Sequence, residues 1–574
     1  MLYFTHLIAG LKRRERYLMV ILFILIISAG NINAQVTHRD TVVSWQHFDY
    51  TLNADGGMGN YSTTNIVTET FNGIVLENEY VRLVVIPEFG ARIISFVYKP
   101  TGHEQLYQNP VGTPYGMGAG NFYFDWLMVY GGIFPTFPEP EHGKTWFLPW
   151  EYELTEVSED KIALQMSIQD DFEFPGHPWK FNNGVTDVIC TSTVILEKGK
   201  SSFDFHHMIE NTRNTQVAFE YWTCTTLAPG SEPGNTFTPE NSEIVVPIDY
   251  VYLKDDWWSW MGNAEVRVPS MGSHVFEYDN LAWFYNWDDM GIAYAHPRVE
   301  GDFYGIINHE NSEGIFRYSD NDITPGMKFW TWGAEQSFSA DPYNFYDNAR
   351  PYIELWSGFS GQFFEDDLLQ PNEIVSWTET YMPTVDMASV ENVSAAGAID
   401  IRIIPEGEKR IEAEVYLTLP DTLFELGLYL NGGIQMPLLE EQFYAKDSES
   451  SSFEVFTSQY EIPDGSYTLI ANVKKADDIV LSTEIPVTFP LSGAGISEEG
   501  INDIKVLRLS NDVVALEFQN PEQRRLEVYD INGRLLQQKE FFGTETKVTL
   551  HDRGIHLFRI IEENHSTVIK VSGQ

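Results

Sequence analysis

The stretch Gly73-Ile-Val-Leu-Glu-Asn-Glu-Tyr-Val-Arg-Leu-Val-Val-Ile86 is two short runs of apolar and β-branched residues about a polar turn. Pro87-Glu-Phe-Gly90 then turns the chain into Ala91-Arg-Ile-Ile-Ser-Phe-Val-Tyr98, and Lys99-Pro-Thr-Gly102 punctuates it again. Runs of this length, bounded by turn residues, predict strands, and two such units in succession predict antiparallel pairing. Working outward, runs rich in Val, Ile, Phe, Tyr and Trp recur as far as Tyr381, with no long amphipathic helix between them. The expected fold class is all-β. Upstream, 35–73 reads as polar and turn-rich.

Downstream, a boundary is expected near Pro383. Residues 385–490 carry alternating runs such as Glu412-Ala-Glu-Val-Tyr-Leu-Thr-Leu419 and Asp464-Gly-Ser-Tyr-Thr-Leu-Ile-Ala-Asn-Val473, the pattern of an immunoglobulin-like β-sandwich. A linker, Leu491-Ser-Gly-Ala-Gly-Ile-Ser-Glu-Glu-Gly500, leads into a small final β-sandwich over 500–574. At the other end, Lys12, Arg13, Arg14 and Arg16 precede an apolar run from Tyr17 to Gly30 and a small-residue site ending at Ala34, which reads as a signal peptide over 1–34. No comparable second run exists, so no membrane span is expected once the signal is removed. The large domain is therefore expected over 35–384.

The 36 Lys plus Arg stand against 83 Asp plus Glu, a formal charge of -47, which argues against binding a phosphate backbone and excludes nucleic acid as the expected partner. Cys190 and Cys224 are the 2 cysteines. They form no disulfide framework and no zinc spacing; a pair and two buried thiols both remain open.

The chemistry is expected in Arg350-Pro-Tyr-Ile-Glu-Leu-Trp-Ser-Gly358. On a strand, Ile353 and Leu355 share one face while Tyr352, Glu354 and Trp356 share the other. A carboxylate between two rings suits a sugar cleft, since rings stack on a pyranose and a carboxylate handles its hydroxyl protons. A surface strand whose Glu meets solvent fits the same alternation. Trp257-Trp-Ser-Trp260 and Trp330-Thr-Trp332 place rings two apart, for stacking or for core. Asp288 and Asp289 sit in a turn pattern, and His206 and His207 face opposite ways with no third ligand in register, so no metal is expected.

Three stretches together resemble the galactose mutarotase-like (aldose 1-epimerase-like) superfamily, and most closely its DUF5107 branch: Leu76 to Ser95; Gly131-Gly-Ile-Phe-Pro-Thr-Phe-Pro138 with Glu141-His-Gly143 and Trp150; and the Glu354 stretch with Leu369-Gln-Pro-Asn-Glu-Ile-Val-Ser-Trp-Thr-Glu-Thr-Tyr381. The resemblance implies a large β-supersandwich from about Phe71 to Thr384. It places Glu354 where the superfamily has its base and His142 near a histidine that contacts the sugar, and it needs no cofactor. Arg92, Trp222, Trp332, Tyr352, Trp356 and His309 are the further candidates for binding substrate. One departure stands out. Where mutarotases carry an acid histidine, Phe219-Glu-Tyr-Trp-Thr-Cys-Thr-Thr-Leu227 places Trp222, and indole cannot titrate, so His142, His309 or Glu220 must substitute if protons are to be moved at both ends of the bond.

The last unit, with Leu526-Glu-Val-Tyr-Asp-Ile-Asn-Gly-Arg-Leu-Leu536, Gly554-Ile-His-Leu-Phe-Arg-Ile560 and Val568-Ile-Lys-Val571, resembles the C-terminal sorting domain of the type IX secretion system of Bacteroidetes. That resemblance implies the type IX secretion machinery as partner and a secreted or outer-membrane surface location. The expected function is a carbohydrate-active protein binding a sugar or glycan end. Glycoside hydrolysis or polysaccharide lysis, with Glu220, Glu141 or Asp288 beside Glu354, and non-catalytic glycan capture are the rival readings.

Overall fold

The computed structural model describes residues 35–52, 58–112, 131–139, 142–173, 184–254, 258–334, 351–405, 409–491, 504–510, 513–530, 535–549, 555–561 and 566–572. The signal stretch, Glu141, Trp257, Arg350 and the Asn532-Gly533 turn lie outside them. The described chain is built from strands with a few short 3-10 turns, as the sequence predicts. None of its helices is long and apolar enough to cross a membrane.

Two large antiparallel sheets face each other. The first has twelve strands and runs from the Thr37–Leu52 edge through Arg92–Tyr98, Trp222–Ser231, Ile353–Gly358, Gly326–Thr331 and Gly291–His296 to Val275–Glu277. The second has eight and centres on Ile374–Val385 and Phe203–Asn211. Between them lies one apolar core. Ile93, Phe96, Phe329, Ile353 and Leu355 enter it from the first sheet, and Leu164, Val194, Phe205, Ile315 and Tyr381 from the second. Each such aliphatic or aromatic side chain contributes roughly 1.5–3 kcal/mol through its removal from water. The turn after Glu77 is local chemistry, since the Asn78 amide oxygen accepts the backbone N–H groups of Tyr80 at 2.9 Å and Val81 at 2.7 Å.

One expectation is corrected. The segment expected to be polar and turn-rich instead forms Thr37–Leu52 and Met58–Glu77, paired in register over most of their length. Most of its outward residues are exposed, so an edge hairpin needs little apolar alternation. Beyond Pro383 the chain stays packed against the large sheets. Val385, Met387, Val390 and Val393 are buried in a cluster that joins Tyr98, Phe303, Phe316 and Met382 of the large sheets to Ala398 and Tyr416 beyond. The Tyr416 hydroxyl donates to that of Tyr98 at 2.6 Å, and Tyr98 donates to the Asp447 carbonyl. Beyond this seam, two four-stranded sheets enclose their own core, and Ile504–Ser510 through Ser566–Ser572 form a five-stranded sheet with a third.

Candidate functional site

Opposite the inter-sheet core, the outer face of the first sheet carries a second aromatic layer. It comprises Trp45, Phe71, Phe89, Phe134, Trp146, Trp222, Cys224, Tyr294, Trp356 and Phe363 among others. Cross-strand register lays this face out in rows. In one row Glu354 stands between Trp330 and Thr226; in the next, Trp356 stands between Lys328 and Cys224, with Tyr294 beyond Lys328 and Phe134 beyond Cys224.

Glu354 is 5 % exposed. Its carboxylate accepts the Trp356 indole N–H at 2.8 Å and the Tyr352 hydroxyl at 3.4 Å. Tyr352 is in turn stacked on Tyr107, with centroids 4.3 Å apart. Burial pushes the carboxyl up to about 7, while Lys328, the Trp356 and Tyr352 hydrogen bonds and Arg92 hold it from rising further. A carboxyl that gains and loses its proton near neutrality suits general acid–base work. Lys328, which sequence reasoning missed, is 6 % exposed, with its ammonium 4.4 Å from the Trp356 ring centroid and 4.2 Å from that of Phe363. Its signal was available in the alternation of Gly326-Met-Lys-Phe-Trp-Thr331, which puts Lys328 and Trp330 on one face.

His142 joins this group, its ring 5.8 Å from Trp356 and 5.3 Å from Trp146. A buried ion pair fixes the segment that carries it. Lys144 meets Asp170 at 2.6 Å with both side chains inaccessible, Lys144 also donates to the Gly184 carbonyl at 2.6 Å, and Asp170 accepts from Thr186 N–H and hydroxyl. Arg92 belongs to the wall. It donates to the carbonyls of Gly131 at 2.8 Å and Trp146 at 3.5 Å, with its guanidinium 3.5 Å over Phe134. It thus ties the Gly131 segment to the segment that carries His142 and Trp146. Trp332 packs edge-on against Trp330 at 4.4 Å, and Trp330 lies 5.8 Å from Tyr352.

Two candidates are not brought to Glu354. Trp222 sits four residues from Thr226, the residue opposite Glu354, a distance of about 13 Å at the rise of a strand. It is fully buried beneath Phe363, its N–H held by Glu220 at 2.9 Å. Gly358 and Gly326 make room for the indole, since a Cβ on Gly358 would stand 2.3 Å from it and one on Gly326 3.0 Å. His309 pairs with Glu243 at 2.9 Å and stacks on Trp283, at the edge of the other sheet.

The remaining candidates sort by the same geometry. Trp260 stacks on Trp287 in the core at 4.4 Å, and Asp288 faces Gly262. His207 is buried between the sheets, its Nδ1 2.9 Å from both the Ser192 and the Tyr221 hydroxyls, while His206 points outward. Cys190 lies in the inter-sheet core and Cys224 on the outer face, both as free thiols. Among the described residues no cluster of three His, Cys, Asp or Glu is set to hold a metal. Glu220 is a second buried carboxyl, pushed up to about 9 by burial, and it accepts the Phe364 N–H at 3.0 Å.

Residues 57–223 match the family model of DUF5107, a domain of unknown function. Similar solved structures include a TPR-domain containing protein from Parabacteroides distasonis (17% identity, TM-score 0.48, 62% of this chain and 57% of that one). A galactose mutarotase-like protein from Clostridium acetobutylicum is similar at 11% identity and TM-score 0.39, over 55% of this chain and 96% of that one. So is a galactose mutarotase related enzyme from Lactobacillus acidophilus, at 12% identity and TM-score 0.36, over 56% and 100%. The chain thus spans little more than half the length of the first of these, and at such identities the likeness is one of fold.

Proposed function

We propose that this chain is a carbohydrate-active protein that takes a sugar or glycan end against the aromatic face around Glu354. The observation that carries the reading is the Glu354 carboxyl itself, buried between Tyr352 and Trp356 with both polar hydrogens aimed at it. In the reaction proposed, ionised Glu354 accepts the proton of the anomeric hydroxyl as the C1–O5 bond breaks, and His142 gives a proton to O5. Reclosing from the other face returns both protons, so nothing is consumed. The wall built by Arg92 and the Lys144–Asp170 pair supports this by fixing the His142 segment beside Trp356.

For location, the proposal is export through the signal peptide and delivery to the cell surface or medium by the type IX secretion machinery. The separate core of the last sheet supports an address module with no chemistry of its own. Removal of residues 500–574 should leave the protein inside the outer membrane; its normal release would remove this part of the proposal.

Binding is tested by saturation-transfer NMR against neutral hexoses, hexuronic acids and short glycans. A ligand whose signal is lost in Trp356→Ala supports the site, and a ligand bound equally by that variant places recognition elsewhere.

A further inference from the structure

We propose that Lys328 is the charge that governs Glu354, setting the pH range over which this carboxyl gains and loses its proton. The inference rests on the reading of Glu354 as the working group, but it is tested on the carboxyl directly and needs no substrate. Lys328 stands directly opposite Trp356 on the neighbouring strand, hence diagonal to Glu354 on the same face, at about 7–8 Å between backbones. Trp356 links the two, since its ring faces the ammonium and its N–H is donated to the carboxylate. Phe363 closes the other side of the ammonium at 4.2 Å. It also packs on Trp222, Trp356 and Tyr294, and its carbonyl is held by Lys254 at 2.9 Å. The cation is thereby clamped between two rings, out of bulk water, where screening is weak.

Among the described residues, the other groups facing this carboxyl are Arg92, Cys224, Tyr352 and Tyr107 behind it, and His142 beyond Trp356. Arg92 is committed to the Gly131 and Trp146 carbonyls. The Cys224 thiol and the Tyr352 phenol are pushed up by burial and stay neutral near pH 7. Lys328, held against the Trp356 and Phe363 rings, is therefore the cation to substitute. At its separation and an effective dielectric near 20, its loss should raise the Glu354 midpoint by about one to two pH units.

The experiment is a pH-difference infrared titration of the full chain, in which the carboxyl band absent from Glu354→Gln is assigned to Glu354. The expected result is a midpoint near 7 for the wild type, about one to two units higher in Lys328→Met, and close to the wild type in Lys328→Arg. Lys328→Gln serves as the second neutral variant should Lys328→Met fail to fold. A midpoint unmoved in the neutral variants, or moved equally in Lys328→Arg, overturns the proposal. Either result leaves the sugar reading to stand or fall on its own test.

Discussion

Replacing Asp170 by Ala tests whether the segment carrying His142 is held as described. The perturbation removes one partner of an ion pair whose side chains are 1 % and 0 % exposed and whose N···O distance is 2.6 Å. Lys144 would keep only the Gly184 carbonyl, and the Thr186 N–H and hydroxyl, bound to Asp170 at 2.9 and 2.7 Å, would lose their acceptor. Stranding a buried ammonium costs about 3–5 kcal/mol, whereas exchanging both partners for apolar groups of similar size costs far less. The expected outcome of urea unfolding followed by tryptophan fluorescence is a loss of about 3–5 kcal/mol in Asp170→Ala. A smaller loss is expected in the double variant Lys144→Met/Asp170→Leu, giving a large coupling in the double-mutant cycle. Sugar affinity should fall with Asp170→Ala, because Trp146 and His142 lie within the same short loop. A loss under about 1 kcal/mol, the scale of an exposed pair, would refute the reasoning. So would strict additivity in the cycle.

Three further outcomes follow from the buried groups. Burial drives His207 down to about 4 from an ordinary 6.5, so the unfolded chain binds its proton first and stability falls as pH drops from 6.5 toward 4, by roughly 3 kcal/mol in all. The slope should flatten in His207→Gln, and an unchanged slope would remove this assignment. Glu220 behaves in the opposite sense: raised to about 9 by burial, it stays protonated in the fold, so stability declines as pH climbs from 4.5 toward 9. Glu220→Gln should therefore gain in melting temperature over the wild type as pH rises through that window, and a constant difference would count against it. Cys190 and Cys224 should both resist maleimide until the chain is unfolded and both react afterwards without reductant; a disulfide found by mass spectrometry would contradict their placement, one between the two sheets and the other on the outer face of the first.

Much of this was legible in residue order. The alternation of Ile353 and Leu355 against Tyr352, Glu354 and Trp356 gave the correct two faces, and their register follows from a period of two. The carboxylates also announce their partners. Glu220 with Trp222, Glu354 with Trp356, and Glu379 with Trp377 each place an indole N–H two residues along the chain from its carboxylate, at 2.9, 2.8 and 3.3 Å. What was not legible depends on contacts between distant segments. Nothing within Phe219–Leu227 reveals that Phe363 roofs Trp222, or that glycines on two neighbouring strands make room for it. His309 next to Asn308 gives no hint of Glu243 and Trp283, which close around it. The alternation of Gly326–Thr331 put Lys328 on the face of Trp330, but nothing near it announced that Phe363, thirty-odd residues downstream, would close over its ammonium. The edge hairpin was missed because its exposed faces carry no apolar stripe.

The central claim is that Glu354 moves protons on a bound sugar, and exchange NMR between the α and β anomers of the hexose or hexuronic acid that binds tests it most directly. The account predicts that the wild-type chain accelerates exchange, with a rate that rises as Glu354 ionises through about pH 7, and that Glu354→Gln returns the rate to that of buffer. Exchange at the wild-type rate in Glu354→Gln, or a bound sugar whose anomers exchange no faster than in buffer, would contradict it.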